Sequence, residues 1–319
     1  MIDVLKRELL RGGPQSPALR AAFRLQAAMN GVRMHVHDGR IALRRGQQEI
    51  VLGDRDIISV PFVVHSWQSF FETLEAVQRN GRETLDFSEA GLHRYRKYGL
   101  SFYAPSLAEE DSMEAYTSSY CPHSGDVVWD AGANAGLTAY FFSQMVGPTG
   151  KVIAFEPDDT NFDFLLRNIE LHKLENVVPV KAAVSDETGT ATFCMDGTMS
   201  AGLTKTLAHS DVQHSRTVET LSPEDACARF DGVPQYIKMD IEGAELSVIA
   251  ACKPLLQENP IHLAIESNHV VDGKYTAGPL EAIFSEIGYK AWSSDKYGQL
   301  FTWAEPYTQL QMEPDRANA

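Results

Sequence analysis

The stretch VVWDAGANAG, residues 127–136, constrains this chain more than any other feature: an apolar run of strand length stops at a glycine-containing turn and passes straight into LTAYFFSQMVG, which reads as a helix. The same rhythm then repeats. KVIAFEP reads as a strand and TNFDFLLRNIELHKL as an amphipathic helix. NVVPVKAAV is a third strand, YIKMDIEGAELSVIAA a strand, turn and helix, IHLAIE a strand and PLEAIFSEIG a helix, with YKAWSS and LFTWAE as a closing edge hairpin. TATFCM and RTVETL are shorter strands around a Gly/Ser-containing loop, and SPEDACARF opens a helix with a Ser cap and Pro at its first position. Strands alternating with helices of this length predict an α/β fold with a doubly wound, mostly parallel sheet. Right-handed crossovers in such a sheet gather ligands at the carboxyl ends of its strands.

Before Gly125 the pattern is irregular. Residues 3–10 and 17–29 read as helices separated by GGPQSP, and MHVH-DG-RIALRR as a hairpin turning at Asp38-Gly39. EIVLG and DIISVPFVV suggest further short strands and SWQSFFETLEAVQRN a helix. TLDFS, LHRYRKYG and LSFYAP continue the β-rich style, and SLAEEDSMEAYTSSY reads as a helix leading into the next domain. The expected organisation is an N-terminal α+β region over residues 1–120, a cofactor-binding domain over 121–305 and a polar tail over 306–319. The N-terminal region is expected to recognise the acceptor, act as a lid or oligomerise. Its aromatics, Trp67, Phe70, Phe71, Tyr95, Tyr98, Phe102 and Tyr103, are expected to be core, so no site residue is placed there.

Charge divides at the same place. Residues 1–125 hold 15 basic and 15 acidic side chains, and the remainder holds 13 and 28, so the whole formal charge of −15 lies in the second part. That balance argues against phosphate-driven binding to nucleic acid or anionic membrane. Four cysteines without a CxxC pair give neither a disulfide framework nor zinc-finger spacing and point to a reducing compartment. With no signal-like apolar core at the start and no run of about 20 apolar residues, a cytoplasmic location is expected, with a homo-oligomer left open.

Two ligand classes use a glycine turn after a first strand: dinucleotides and S-adenosylmethionine. A dinucleotide fingerprint asks for glycine at 132, 134 and 137, and the chain has Gly132, Asn134 and Leu137. Asp130, ending the strand, suits a cationic amine and would repel a pyrophosphate. Glu156, 20 residues beyond Gly136 at the end of the second strand, can accept hydrogen bonds from both ribose hydroxyls in either cofactor.

These stretches, with KVIAFEPDDTNFDFLLRNIELHKLENVVPVKAAVSDETG, TVETL, YIKMDIEGAELSVIAA and LAIE, run in order from Asp126 to Glu266 and resemble the FkbM-type methyltransferases, a branch of the class I S-adenosylmethionine-dependent fold. The resemblance implies S-adenosylmethionine as methyl donor and O-methylation of a hydroxyl on a sugar or secondary metabolite. It also implies that Asp130, Gly132, Asn134 and Gly136 line the methionine and ribose side. Glu156 would hold the ribose hydroxyls, Pro157 would shape the turn after it, and the adenine would lie near Ala183 to Asp186. Asn161 reads as a helix cap. The resemblance hardly covers residues 1–120.

The turn after the fourth strand, Lys238-Met239-Asp240-Ile241-Glu242-Gly243-Ala244-Glu245, lies where a doubly wound sheet carries its chemistry. Asp240 and Glu242 bracket it, Lys238 is a possible partner for them, and Glu245 belongs to the first turn of the next helix, a structural place. Glu266 ends the fifth strand and His269 follows in ESNH. Asp240, Glu242, Glu266 and His269 are the catalytic candidates, His269 as general base because its unperturbed pKa suits neutral pH. Alternatively these acids, with or without His269, hold Mg²⁺, which would orient the acceptor and acidify its hydroxyl. The rival readings are a nicotinamide-dependent oxidoreductase, a nucleic-acid methyltransferase and a non-catalytic S-adenosylmethionine-binding module. The second would need an Asn/Asp-Pro-Pro-aromatic turn where this chain has MDIEG.

Overall fold

The structure, a computed structural model, describes residues 16–108, 112–195, 201–203, 215–271 and 273–307. They fall into two compact units, one up to residue 108 and one from Ser112 onward. The helix expected over residues 3–10 and the EPDRANA tail lie outside the described residues.

The second unit is built on seven strands: β1 (Val127–Ala131), β2 (Lys151–Phe155), β3 (Val177–Val180), β4 (Tyr236–Met239), β5 (His262–Glu266), β6 (Tyr289–Ser294) and β7 (Phe301–Pro306). Their spatial order is β3-β2-β1-β4-β5-β7-β6. The first five are parallel, and β7 runs antiparallel to both β5 and β6. The sheet is therefore doubly wound and mostly parallel, as expected. The closing hairpin forms, but its second strand inserts beside β5 and leaves β6 at the edge. Helices α1 (Leu137–Val146), α2 (Asp159–His172), α3 (Pro223–Arg229), α4 (Glu245–Glu258) and α5 (Ala277–Glu286) complete the winding.

Central strands covered on both faces read as continuous apolar runs, and alternation along them divides two cores. Trp129, Ile153, Ile237 and Leu263 face one, while Val128, Val152, Tyr236 and Ala264 face the other. Ser222 caps α3, accepting a hydrogen bond from Asp225 N at 3.2 Å, with Pro223 first in the helix. Strands Gly189–Met195, Ala201–Leu203 and Ser215–Leu221 form a separate small sheet with Ala183–Val184.

Residues 112–120 belong to this unit, so the predicted boundary at 120 falls too late. Only Met113–Tyr116 is helical there. Met113, Ala115 and Tyr116 are core, and Trp303 Nε1 donates to Ala115 O at 2.8 Å.

The first unit packs helix Pro17–Met29 with a five-stranded sheet whose order is Arg33–His37, Arg40–Arg45, Gln48–Gly53, Arg82–Phe87, Val77–Arg79. Gly91–Tyr95 and Leu100–Ala104 form a further hairpin. Two expectations fail here. DIISVPFVV is helical (3-10 turns over Asp54–Ser59, then Val60–His65), since a short apolar run fits strand or helix and Pro61 suits a helix start. The helix expected over SWQSFFETLEAVQRN stops at Thr73, and Val77–Arg79 instead pairs with Arg82–Phe87 across Asn80-Gly81, a hairpin turn signal. Trp67, Phe70, Phe71, Tyr95 and Phe102 are buried, as expected of core aromatics, whereas Tyr98 and Tyr103 are only half-buried. No helix of the described residues is long and apolar enough to cross a membrane.

Candidate active site

Strand register creates the site. Asp130 on β1 stands opposite Lys238 on β4, and one residue further each strand ends. Gly132 N and Ala133 N donate to Phe155 O at 3.0 and 2.9 Å, Glu156 N to Val180 O at 3.0 Å, and Asp240 N to Ala131 O at 3.0 Å. The turns carrying Gly132, Glu156 and Asp240 are thus stitched together at one edge of the sheet.

Gly132 has a φ of +78°, and a Cβ there would sit 1.9 Å from the carbonyl oxygen of Asp240. Gly136, at φ +93°, starts α1 with Leu165 Cδ1 2.6 Å from where its Cβ would be. Asn134 also has a left-handed φ, +48°, which asparagine tolerates better than most residues. The two glycines therefore let the turn pack closely against the Asp240 carbonyl and Leu165, where any side chain would force the neighbouring elements apart.

Glu156 is buried, and its two oxygens accept hydrogen bonds from Asn134 N at 2.9 Å and Asp158 N at 2.7 Å. Burial raises its pKa to about 7 against the lowering effect of these N–H groups. A carboxylate has about four lone-pair sites, so these two bonds leave part of its accepting capacity unused. Pro157 follows, its carbonyl accepting from Arg216 Nη2 at 3.0 Å. The cap of α2 is Asp158, not Asn161: its carboxylate accepts from Asn161 N at 2.8 Å. In the region expected near the adenine, Ala183 and Val184 pair with Thr220 and Leu221, and Ser185 Oγ donates to Asp186 Oδ1 at 3.0 Å.

Asp130 departs from its expected role. It is fully buried, with Oδ1 3.1 Å from Lys238 Nζ and Oδ2 accepting from Thr138 Oγ1 at 2.6 Å. A carboxylate sealed in this way supports the turn from beneath and is not presented to a donor's amine. Lys238 also donates to Gly132 O at 2.6 Å and Ala131 O at 3.3 Å. The expected pairing of Lys238 with Asp240 and Glu242 is therefore replaced by one with Asp130.

Asp240 and Glu242 instead face His269, whose Nε2 is 3.8 Å from Asp240 Oδ1 and 3.4 Å from Glu242 Oε2. Its Nδ1 lies 2.8 Å from Oε1 of Glu245, which is fully buried. Glu245 has the structural place expected, since Oε1 accepts from Ile241 N and Gly243 N at 3.3 and 3.1 Å, but it also anchors the imidazole. Burial disfavours the imidazolium, yet Glu245, Glu242 and Asp240 together outweigh it and raise the pKa of His269 to about 10. The ring therefore carries its proton at neutral pH when alone with these acids, contrary to the ready base expected from its unperturbed value. Burial first, helped by the charge of Asp240 and opposed by that of His269, pushes Glu242 and Glu266 up to about 8.

Glu266 accepts from Asn268 Nδ2 at 2.8 Å, and Tyr116 Oη stands 3.5 Å from its Oε2. With its amide nitrogen turned to the carboxylate, Gln299 donates to both oxygens of Glu266 at 3.0 and 3.1 Å. All four predicted catalytic residues thus meet in one cluster. Sequence reasoning missed Tyr116, Asn268 and Gln299, which carry no motif. Tyr116 sits in the segment assigned to the first domain, and its ring lies 5.5 Å from Lys238 Nζ.

A family model described as the Methyltransferase FkbM domain matches residues 130–291, just over half of the chain. The methyltransferase sdnD of Sordaria araneosa is 28% identical over 248 residues, covering 63% of this chain and 92% of that protein. The crystal structure of the methyltransferase FkbM from Methylobacillus flagellatus is similar with a TM-score of 0.42 and 17% identity, over 56% of this chain and 43% of that one, so the chain spans less than half of that protein's length. Fibrillarin from Aeropyrum pernix, solved with natively bound S-adenosylmethionine, has a TM-score of 0.40 and 12% identity, over 86% and 98%. The family match replaces the nicotinamide-dependent reading, which the missing glycines at 134 and 137 already opposed. With this match over more than half of its length, the chain belongs to the FkbM-domain family of S-adenosylmethionine-dependent methyltransferases.

Proposed function

We propose that the protein methylates a hydroxyl group of a small molecule, a sugar or secondary metabolite. The observation that carries this reading is the cluster of Asp240, Glu242, Glu266 and His269 beside the glycine turn, because the carbonyl of Asp240 itself packs onto Gly132. A polyol acceptor needs hydrogen-bonding groups of both kinds around its hydroxyl. Carboxylates supply acceptors, and Tyr116, Asn268 and Gln299 keep Glu266 oriented as one of them.

S-adenosylmethionine supplies a methyl group already activated on a sulfonium. The chain's residues then have three tasks. The Gly132–Gly136 backbone and Glu156 hold the donor, with Glu156 accepting from the ribose hydroxyls. The acid–imidazole cluster aligns the acceptor oxygen, a positioning effect, and one of its carboxylates takes up the hydroxyl proton, a step typically worth 10²–10⁴-fold. The excess of acidic residues in this part of the chain supports a small-molecule acceptor over a polyanion.

The test is product chemistry. With donor labelled in its methyl group and a panel of hydroxylated acceptors, the label is expected in a methyl ether, resistant to the mild alkali that releases methanol from an ester. Label only in ester, N-methyl or C-methyl products would reject hydroxyl methylation.

Glu156 gives a second test. Its raised pKa means the native protein binds this proton more tightly than the unfolded chain. The resulting stabilisation is full below about pH 4.5 and is lost as pH rises through about 7. A diol binds the ionised form, so affinity for S-adenosylhomocysteine is expected to rise about tenfold per pH unit up to pH 7 and then level off. Glu156→Gln is expected to bind more weakly and without that rise; calorimetry across pH 5.5–8.5 checks both (roughly, the range spanning its pKa).

A further inference from the structure

The geometry points to a divalent-cation site formed by Asp240, Glu266 and His269. Resting on the proposal that this cluster is the acceptor site, the inference deepens it by naming what holds the acceptor oxygen. One ligand atom from each residue lies within 4.8 Å of the other two. Three ligands around one ion at about 2.2 Å stand about 3.1–3.8 Å apart, so the three reach a common centre with side-chain shifts of up to about 1 Å each.

Two further observations point to a ligand. Histidines that bind metals almost always hand their second ring nitrogen to a carboxylate or carbonyl, which fixes the ring and its tautomer. His269 has a carboxylate in that place: Nδ1 lies 2.8 Å from Oε1 of Glu245 as a close ion pair without hydrogen-bond alignment, Glu245 is fully buried and tied by two backbone N–H groups, and Nε2 faces Asp240 and Glu242. In addition, Asp240 Oδ1 is buried without a hydrogen-bond partner among the described residues. Glu266 is also held from behind, by Asn268. The three residues come from the ends of two adjacent parallel strands and the loop after the second, so the sheet itself sets their spacing.

The donor set decides which ion. An imidazole with two carboxylates suits Mn²⁺, Co²⁺ or Zn²⁺, whereas Mg²⁺ and Ca²⁺ favour oxygen ligands throughout. The Mg²⁺ considered for the three acids with or without His269 is therefore replaced by a transition-metal ion, and Glu242, outside the convergent trio, is a neighbour and not a ligand. Positions left open on the ion would take the acceptor hydroxyl.

The experiment uses the full chain without an affinity tag, stripped with chelator and titrated with Co²⁺ and Mn²⁺. Expected are one-to-one binding with a visible Co²⁺ ligand-field spectrum, and affinity for Mn²⁺ at least about tenfold above that for Mg²⁺. Asp240→Asn and His269→Gln are expected to weaken Co²⁺ binding by more than tenfold, and Glu245→Gln by about 10–100-fold through loss of ring orientation. Glu242→Gln is expected to change it less than about threefold. S-adenosylhomocysteine binding within about threefold of the parent shows each variant folded. Absence of saturable Co²⁺ binding, or binding unchanged in the folded Asp240→Asn and His269→Gln variants, overturns the site. Undiminished methyl-ether formation in excess chelator also overturns it while leaving hydroxyl methylation standing. Co²⁺ binding with the expected variant pattern in a protein that methylates only nitrogen or carbon supports the site and removes the hydroxyl reading instead.

Discussion

Gly132→Ala is expected to abolish measurable S-adenosylhomocysteine binding and to lower the melting temperature by roughly 4–8 °C. The added Cβ would lie 1.9 Å from the backbone oxygen of Asp240, which no side-chain rotation relieves, and the φ of +78° is one that alanine adopts only at a cost. That conformational cost is about 1–2 kcal/mol, and a substitution at an incompatible φ destabilises beyond it. A loss of about 2 kcal/mol corresponds to this shift at roughly 2–4 °C per kcal/mol for a unit of this size. Function suffers more than stability, because separating the two turns moves both the donor cradle and Asp240. Gly232→Ala is the control: nothing lies within 4 Å of its Cβ, so a change within about 0.5 kcal/mol is expected. Calorimetry with thermal unfolding checks both. Gly132→Ala that binds the ligand as the parent does would mean the turns are not packed as described.

Asp130 and Lys238 form the second large effect. Both are buried, at 0% and 3% side-chain exposure and 3.1 Å apart. Removing one partner of such a pair leaves a charge with neither water nor counterion, a loss of about 3–5 kcal/mol. Asp130→Asn and Lys238→Met are each expected to fall in that range by urea unfolding. The double variant should recover part of the loss, with a coupling energy of about 2–3 kcal/mol. Lys238→Met should also weaken cofactor binding, since Nζ holds the carbonyls of Ala131 and Gly132. Additive effects in the double variant would mean that the two charges do not depend on each other.

The candidate site was legible in the sequence wherever a strand end coincided with a turn. Gly132, Gly136, Glu156, Asp240 and Glu266 all stand at such positions, and topology brings strand ends together whatever the details of packing. What failed involved direction. Asp130 stands at the right place, but strand register aims its carboxylate at Lys238 and away from the ligand. His269 was singled out for its intrinsic pKa, and the carboxylates around it raise that value to about 10. Tyr116 could not be found at all, because it reaches Glu266 across 150 residues of sequence.

The sequence by itself determined the alternating winding after Gly125, the cofactor class and the identity of the acids at the strand ends, because period, glycine placement and strand length are local properties. The tertiary structure alone decided which charges pair, where the last strand inserts, and that Glu245, expected to do no more than begin a helix, holds His269 toward Asp240. Those outcomes depend on register and burial, which set distances of a few ångströms between residues far apart in the chain, and at that scale a side chain's charge state and partner are fixed by what surrounds it.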